Sequence, residues 1–176
     1  MTEFTFKPLD AEGEETLKAF ALANHLNKWM YESIKPFCKG KILEIGSGVG
    51  NISEYFINDN KSILLTDIRD SYCEALREKF TGIRTLQGIE NMNLVDADFD
   101  SRHSSYLNSF DTVFALNVVE HIFDDSLAIA NCYKLLKPGG HLIILVPAYQ
   151  WLYTDFDKEL EHYRRYTRKR LELLFV

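Results

Sequence analysis

Three glycines, Gly46, Gly48 and Gly50, lie within five consecutive positions between two apolar patterns, in the segment KILEIGSGVGNIS. Glycines allow the backbone to turn sharply and to approach a ligand closely, because no Cβ lies in the way. The backbone N–H groups at the start of a following helix can donate hydrogen bonds to that ligand. The spacing therefore predicts a ligand-binding turn, although a tight strand-to-helix corner with no ligand would use the same glycines.

Two acidic residues narrow the choice of ligand. Glu44 precedes the first glycine by two positions, and Asp67 closes the next apolar run. An acid about 20 residues after such a loop is placed to accept hydrogen bonds from both hydroxyls of a ribose, which NAD and S-adenosylmethionine share. Glu44 would repel a pyrophosphate but would suit an ammonium and a sulfonium. The G-x-G-x-x-G fingerprint of nicotinamide enzymes also fails, because its third position is Asn51.

The elements that must position these residues follow from hydrophobic periodicity. Short apolar runs alternate with helix-length amphipathic segments, which predicts βαβ units, a mostly parallel sheet and helices on both faces. In such open sheets, ligands bind at the carboxyl ends of the strands, where the glycine loop lies. The predicted strands are 41–46, 62–67, 82–87, 110–117 and 141–147, and the predicted helices are 15–35, 52–57, 71–80, 125–136 and one beginning at 167, with at most a short irregular helix in 91–109.

Composition limits the function classes. A chain of 176 residues is expected to form one domain, and its net charge of −6 gives no general attraction to nucleic acid. The three cysteines have no C-x-x-C spacing, which argues against a disulfide framework and a zinc site, so no metal is expected. No segment resembles a signal peptide or is apolar for long enough to span a membrane, and a cytoplasmic location is expected.

Four ordered motifs together resemble those of the class I S-adenosylmethionine-dependent methyltransferases of the small-molecule type. ILEIGSGVG is similar to the first motif of that family, E/D-x-G-x-G-x-G, and LLTDI to the second. FDTVFALNVVEHIFDD is similar to the fourth-strand motif, and LLKPGGHLIILVPA to the motif that leads into the fifth strand. YTDFDKELEHYRRYTRKRL also resembles a segment of one bacterial subgroup, in which D-x(n)-H-x-RRYT follows the fifth strand.

The resemblance implies a Rossmann-like three-layer sandwich that transfers a methyl group from S-adenosylmethionine to a small molecule and releases S-adenosylhomocysteine. Two other functions stay open: a non-catalytic S-adenosylmethionine-binding regulatory subunit and an NAD-dependent oxidoreductase. The residues that the resemblance assigns to the cofactor are Glu44, Gly46, Ser47, Gly48, Gly50, Asp67, Ile68, Gln87, Gly88 and Asn117.

Two features depart from the family pattern. The family often has an acid after the third strand that holds the adenine amino group, but Gln87, Gly88 and Ile89 lie where it is expected. The family sheet has seven strands, whereas only five are predicted in 1–176, so the last two strands are expected to be missing and the single domain to be incomplete at its carboxyl end.

Candidate catalytic and substrate residues lie in the second half of the chain. His121 is a candidate general base because its ordinary pKa is near neutrality, although a structural role would also explain it. In-line methyl transfer depends mainly on positioning and requires a base only for some acceptors. An aromatic and basic segment after the fifth predicted strand predicts a small-molecule acceptor with an anionic group, although ion pairs with nearby acids would also explain its charges. Its candidate substrate residues are Tyr149, His162, Tyr163, Arg164 and Arg165.

Overall fold

Five parallel strands form one sheet in the computed structural model, which describes residues 24–175. The order across the sheet is β3-β2-β1-β4-β5, so the direction of strand progression reverses between β1 and β4. In doubly wound sheets this reversal opens a crevice at the carboxyl ends of the strands. The strands are β1 (Ile42–Ile45), β2 (Ile63–Asp67), β3 (Leu86–Asn91), β4 (Phe110–Leu116) and β5 (Leu136–Leu145).

Helices cover both faces of the sheet and produce two apolar clusters. Along β1, Ile42 packs in the cluster beneath α1, α2 and α3, whereas its neighbour Leu43 packs in the cluster beneath α4 and α5. Successive strand residues point to opposite faces, which explains why the strand is apolar at nearly every position. The helices are α1 (Asn24–Ile34), α2 (Ser53–Asn58), α3 (Asp70–Lys79), α4 (Phe99–Arg102), α5 (Asp125–Leu135), α6 (Asp155–Glu159) and α7 (Arg168–Glu172).

The α/β class and the five predicted strands are confirmed, but the third strand lies later in the chain than predicted. It occupies Leu86–Asn91 instead of 82–87, and residues 81–84 are exposed. Pairing with β2 sets this position, because Asp67 and Asn91 are partners at the ends of the two strands. The fifth strand begins before its predicted start, at Leu136, with an irregular register toward β4.

The first helix is observed only in part. Within the described residues it begins at Asn24 and ends at Ile34, which agrees with the predicted end near residue 35. The predicted residues 15–23 lie outside the described residues. Among the helices of residues 24–175, none is both long and apolar enough to cross a membrane.

Candidate functional site

The glycine loop between β1 and α2 has a backbone that other residues adopt at a cost. Gly46 has a φ of 69°, in the left-handed region. A Cβ at Gly46 would also lie 2.4 Å from Val118 Cγ2, well inside van der Waals contact. Gly50 serves packing instead, because a Cβ there would lie 2.7 Å from the ring of Phe80, on the side away from the ligand crevice. The loop thus lies close against both the β4 end and α3.

We expect Gly46→Ala to destabilise the protein by at least about 1 kcal/mol more than Gly82→Ala. Both glycines have a positive φ, but a Cβ at Gly82 would meet no atom within 4 Å. The difference therefore isolates the contact with Val118 from the cost of the backbone conformation. Urea unfolding of the two variants measures it, and equal stabilities would show that the β4 end yields to the added methyl group.

Asp67 ends β2 and is buried against the glycine loop. Its Oδ2 accepts a hydrogen bond of 2.9 Å from Gly48 N, and its Oδ1 accepts one of 3.0 Å from Arg69 N. Each carboxylate oxygen can accept a further bond, so the residue retains capacity for two ligand hydroxyls. The backbone contacts fix the orientation of the carboxylate at the edge of the crevice before any ligand binds.

Glu44 is a second buried carboxylate at this edge. It is 4% exposed and accepts a hydrogen bond from Ser53 Oγ at the start of α2. Burial raises its pKa to about 8, and the hydrogen bond from Ser53 offsets part of that rise. A ligand cation would favour the charged form, since an opposite charge nearby lowers the pKa of an acid.

A cavity of about 740 Å³ lies at the carboxyl ends of the strands and contains most of the predicted site residues. It extends from the glycine loop past the ends of β2 and β4 to the segment after β5. The predicted site residues that line it are Glu44, Gly46, Ser47, Gly48, Asp67, Ile68, Asn117, His121, His162 and Arg165.

Helix α1 lies against the same cavity. Met30 and Trp29 line it, and the amide of Asn117 lies 3.9 Å from Met30 Sδ. Asn117 follows β4 with a φ of 55°, a left-handed conformation that asparagine tolerates better than most residues. This backbone places the Asn117 amide between the strand end and the helix, at the cavity wall.

Besides Gly50, two residues predicted to bind the cofactor, Gln87 and Gly88, lie outside the cavity lining. Because β3 continues to Asn91, both are early in the strand, and the side chain of Gln87 is exposed. The residues that follow the strand, Met92 and Asn93, reach the cavity instead. The register of β3 against β2 would have identified them, but that register was not visible in the amino-acid pattern.

The comparison with known proteins identifies the family. Residues 43–142, more than half of the chain, match a family model described as a methyltransferase domain.

The chain belongs to the class I S-adenosylmethionine-dependent methyltransferases.

The sequences of similar proteins align with only part of this chain, and the aligned part is less than half of each relative. The ubiquinone/menaquinone biosynthesis C-methyltransferase UbiE of Haemophilus ducreyi is 31% identical over 109 residues, which are 60% of this chain and 40% of UbiE. A highly reducing polyketide synthase of Pyrenophora dematioidea is 29% identical over 126 residues, which are 66% of this chain and 5% of the synthase. The chain therefore spans less than half the length of these relatives.

Solved structures share the fold. The phosphoethanolamine N-methyltransferase 2 of Haemonchus contortus, in complex with S-adenosyl-L-methionine, has a TM-score of 0.68 at 19% identity, over 85% of this chain and 35% of that one. The CurJ carbon methyltransferase has a TM-score of 0.62 at 20% identity, over 86% of this chain and 45% of that one. S-adenosylmethionine is the cofactor of the family, and the cavity fits it, because buried carboxylates lie where a ribose and a cationic tail would bind.

The pKa of Glu44 gives a testable pH dependence of cofactor binding to this methyltransferase. If Glu44 faces the cofactor ammonium, its carboxylate must ionise on binding, so affinity for S-adenosylmethionine is expected to increase with pH from 6 toward 8. The increase would be at most about tenfold per pH unit. Calorimetry at several pH values measures it, and Glu44→Gln should remove the slope, whereas Glu54→Gln, at an exposed acid on α2, should keep it. A wild-type affinity independent of pH would exclude Glu44 from this role.

In this methyltransferase, the segment after β5 is fixed by the buried acid Asp157. Arg165 donates two hydrogen bonds of 2.7 and 2.8 Å to its carboxylate, and His162 Nδ1 lies 3.1 Å from Oδ1. The Arg165 guanidinium holds the pKa of Asp157 well below its usual range. Arg165, predicted to bind an anionic acceptor, is therefore an internal partner that also borders the cavity.

A second buried acid, Asp125 on α5, holds the following residues. Arg164 forms an ion pair of 2.6 Å with it, and the hydroxyl of buried Tyr166 donates a bond of 2.9 Å. Arg164, Tyr163 and Tyr149 were predicted to contact the substrate, but the structure places them outside the cavity lining. The basic cluster thus attaches its segment to helix α5 through Asp125, which agrees with the alternative of ion pairing, although Asp125 was not among the acids expected.

The opposite wall of the cavity brings together Glu120, His121 and His162. One ligand atom of each lies within 4.8 Å of the others, and the two imidazole rings are 4.5 Å apart in an edge-on arrangement. A backbone bond of 2.8 Å from Tyr163 N to Glu120 O joins the two segments. Burial raises the pKa of Glu120 to about 8 and lowers the pKa of His162. Sequence spacing could not show this cluster, because 41 positions separate His121 from His162.

Proposed function

We propose that this methyltransferase transfers a methyl group from S-adenosylmethionine to a small-molecule acceptor by in-line displacement. The observation that carries the proposal is the single cavity, which extends from Glu44 and Asp67 to His121 and His162. Donor and acceptor can therefore occupy one cavity, and holding them in line supplies much of the rate enhancement. Bound S-adenosylmethionine supplies a methyl group on a sulfonium, with a neutral thioether as the leaving group.

The residues of the chain take distinct roles in this proposal. Asp67 binds the ribose hydroxyls, Glu44 faces the ammonium, and Asn93 lies near the β3 end, where the adenine is expected. Asn117 lies between strand end and helix α1 and orients the methionine portion or the acceptor. His121 is the proposed general base, because its imidazole borders the cavity.

The acceptor is proposed to be a carbon acid or a phenol. The names of similar proteins support this proposal. UbiE is a C-methyltransferase, and one similar solved structure is the CurJ carbon methyltransferase. The HYRRYT segment further supports membership of the bacterial subgroup that has this motif. The pairing of Arg164 and Arg165 with buried acids argues against a free cationic site for an anionic acceptor.

Two measurements test the proposal. Calorimetry should show binding of S-adenosylhomocysteine, and transfer of radiolabelled methyl should be observed for at least one acceptor in a panel of carbon acids, phenols, amines and carboxylates. Matched neutral and anionic acceptors determine the charge preference. Absence of product binding by folded protein would exclude the cofactor site. Binding with no transfer to any acceptor would instead favour a regulatory subunit.

A further inference from the structure

Glu120 lies at the cavity wall with its charge uncompensated. It is fully buried, and within residues 24–175 no other side chain or backbone group donates a hydrogen bond to either carboxylate oxygen. A buried carboxylate without a partner is unfavourable by several kcal/mol, so it requires a proton or a cation. Arg164 and Arg165, which directly follow the Tyr163 backbone N–H that is bonded to Glu120 O, are already engaged by Asp125 and Asp157. A proton or a small cation from the cavity side could neutralise Glu120, and the two imidazoles beside it favour a cation that they can also coordinate.

His162 is oriented in the manner of a metal ligand. Its Nδ1 lies 3.1 Å from Oδ1 of Asp157, whose side chain is only 1% exposed. A carboxylate at one ring nitrogen fixes the tautomer and leaves Nε2 as the coordinating atom, as in carboxylate–histidine–zinc arrangements. Arg165 in turn holds Asp157, so the imidazole is positioned by a chain of buried contacts.

We propose that Glu120, His121 and His162 bind one divalent first-row transition ion, with zinc as the best fit. Two imidazoles and one carboxylate form the ligand set of catalytic zinc sites that retain an open coordination position. All three residues line the cavity, so the open position faces the space assigned to the acceptor. The prediction of no metal rested on the absence of paired cysteines. That absence excludes thiolate sites but not a site made of histidines and a carboxylate.

The ion would also define the acceptor more closely, and this step rests on the proposed function. A zinc ion polarises a bound oxygen and lowers the pKa of a coordinated hydroxyl. The acceptor would therefore carry an enol or phenol oxygen next to the methylated atom, and its proton would pass to solvent. In the metal-loaded enzyme, His121 would be a ligand and not the general base.

The test begins with the full chain after treatment with a chelator. Zinc binding is then measured by calorimetry, and cobalt binding is measured by visible absorption. Wild-type protein should bind one zinc ion with submicromolar affinity and give visible cobalt absorption bands. Glu120→Gln and His162→Gln should each weaken binding by at least about 100-fold, since even outer partners of metal ligands contribute roughly 10–100-fold. His141→Gln is the matched control, because His141 is an exposed histidine on β5.

Each outcome has a defined consequence. Wild-type protein that binds no zinc, or variants that bind as well as wild type, would overturn the proposal. Binding of S-adenosylhomocysteine by the variants would show that they are folded, so loss of zinc binding could be assigned to the ligands. Zinc binding without methyl transfer would support the zinc site and contradict the proposed function. Methyl transfer by a chain that binds no zinc would support the proposed function and contradict the zinc site.

Discussion

Replacing Asp67 with alanine is expected to weaken the binding of S-adenosylmethionine by at least about tenfold, and on the order of 100-fold. The carboxylate would accept hydrogen bonds from two ribose hydroxyls, and bonds to a charged group are stronger than neutral ones. The variant also loses the bonds that Gly48 N and Arg69 N donate to the carboxylate. Calorimetry with S-adenosylmethionine and with its demethylated product measures the effect.

Two further variants separate binding from loop support. Asp67→Asn retains the size of the side chain but loses its charge, so its affinity should lie between those of wild type and Asp67→Ala. Asp70→Ala removes an exposed acid three residues later and should leave the affinity nearly unchanged. If Asp67→Ala bound the cofactor as tightly as wild type, the ribose would have to bind elsewhere in the cavity.

The sequence contained enough information to place the glycine loop and two acids at one edge of the sheet. Gly46, Gly48, Glu44 and Asp67 could be assigned because local pattern determines them: a loop follows one apolar strand and an acid closes the next. Parallel strands of a doubly wound sheet then bring the two ends together. Neither step depends on contacts between distant segments, which is why the structure has these four residues on one cavity.

The position of β3 could not be predicted in the same way. The segment GIRTLQGIENMN has apolar residues at both ends and no strict alternation, so its pattern is compatible with more than one strand position. Hydrogen bonding to β2 selects Leu86–Asn91. The displacement of about four residues brings Met92 and Asn93, instead of Gln87 and Gly88, to the cavity.

The second half of the site depends on contacts that no local pattern encodes. The basic residues around His162 looked suited to an anion, yet their partners are Asp157 and the distant Asp125. The same attachment carries His162 to Glu120 and His121. The ion pairs therefore help to determine which side chains of this segment border the cavity.

Arg165→Ala is expected to lower the free energy of unfolding by about 2–4 kcal/mol and the melting temperature by roughly 5–15 °C. The variant leaves the Asp157 carboxylate buried without its cationic partner. Loss of one member of a buried pair is more destabilising than loss of an exposed pair, since an uncompensated charge remains. Calorimetric or circular-dichroism melting at neutral pH measures the change.

Arg168→Ala is the matched control for this prediction. Arg168 also pairs with an acid at 2.7 Å, but the side chains of Arg168 and Glu172 are 91% and 60% exposed. Such a pair contributes at most about 0.5 kcal/mol, so the control should melt close to wild type. Equal melting temperatures for the two variants would show that Asp157 does not require Arg165.

The same pair fixes the sign of the pH dependence. The pKa of Asp157 is lowered in the folded protein, so its stabilising effect is present above the unfolded pKa of about 4 and is lost as pH falls through the folded value. The difference in stability between wild type and Arg165→Ala should therefore be largest near neutral pH and should decrease in acid. A difference that increased as pH fell below about 4 would contradict the assignment of the charge pair, because protonation of Asp157 removes the interaction that Arg165 provides.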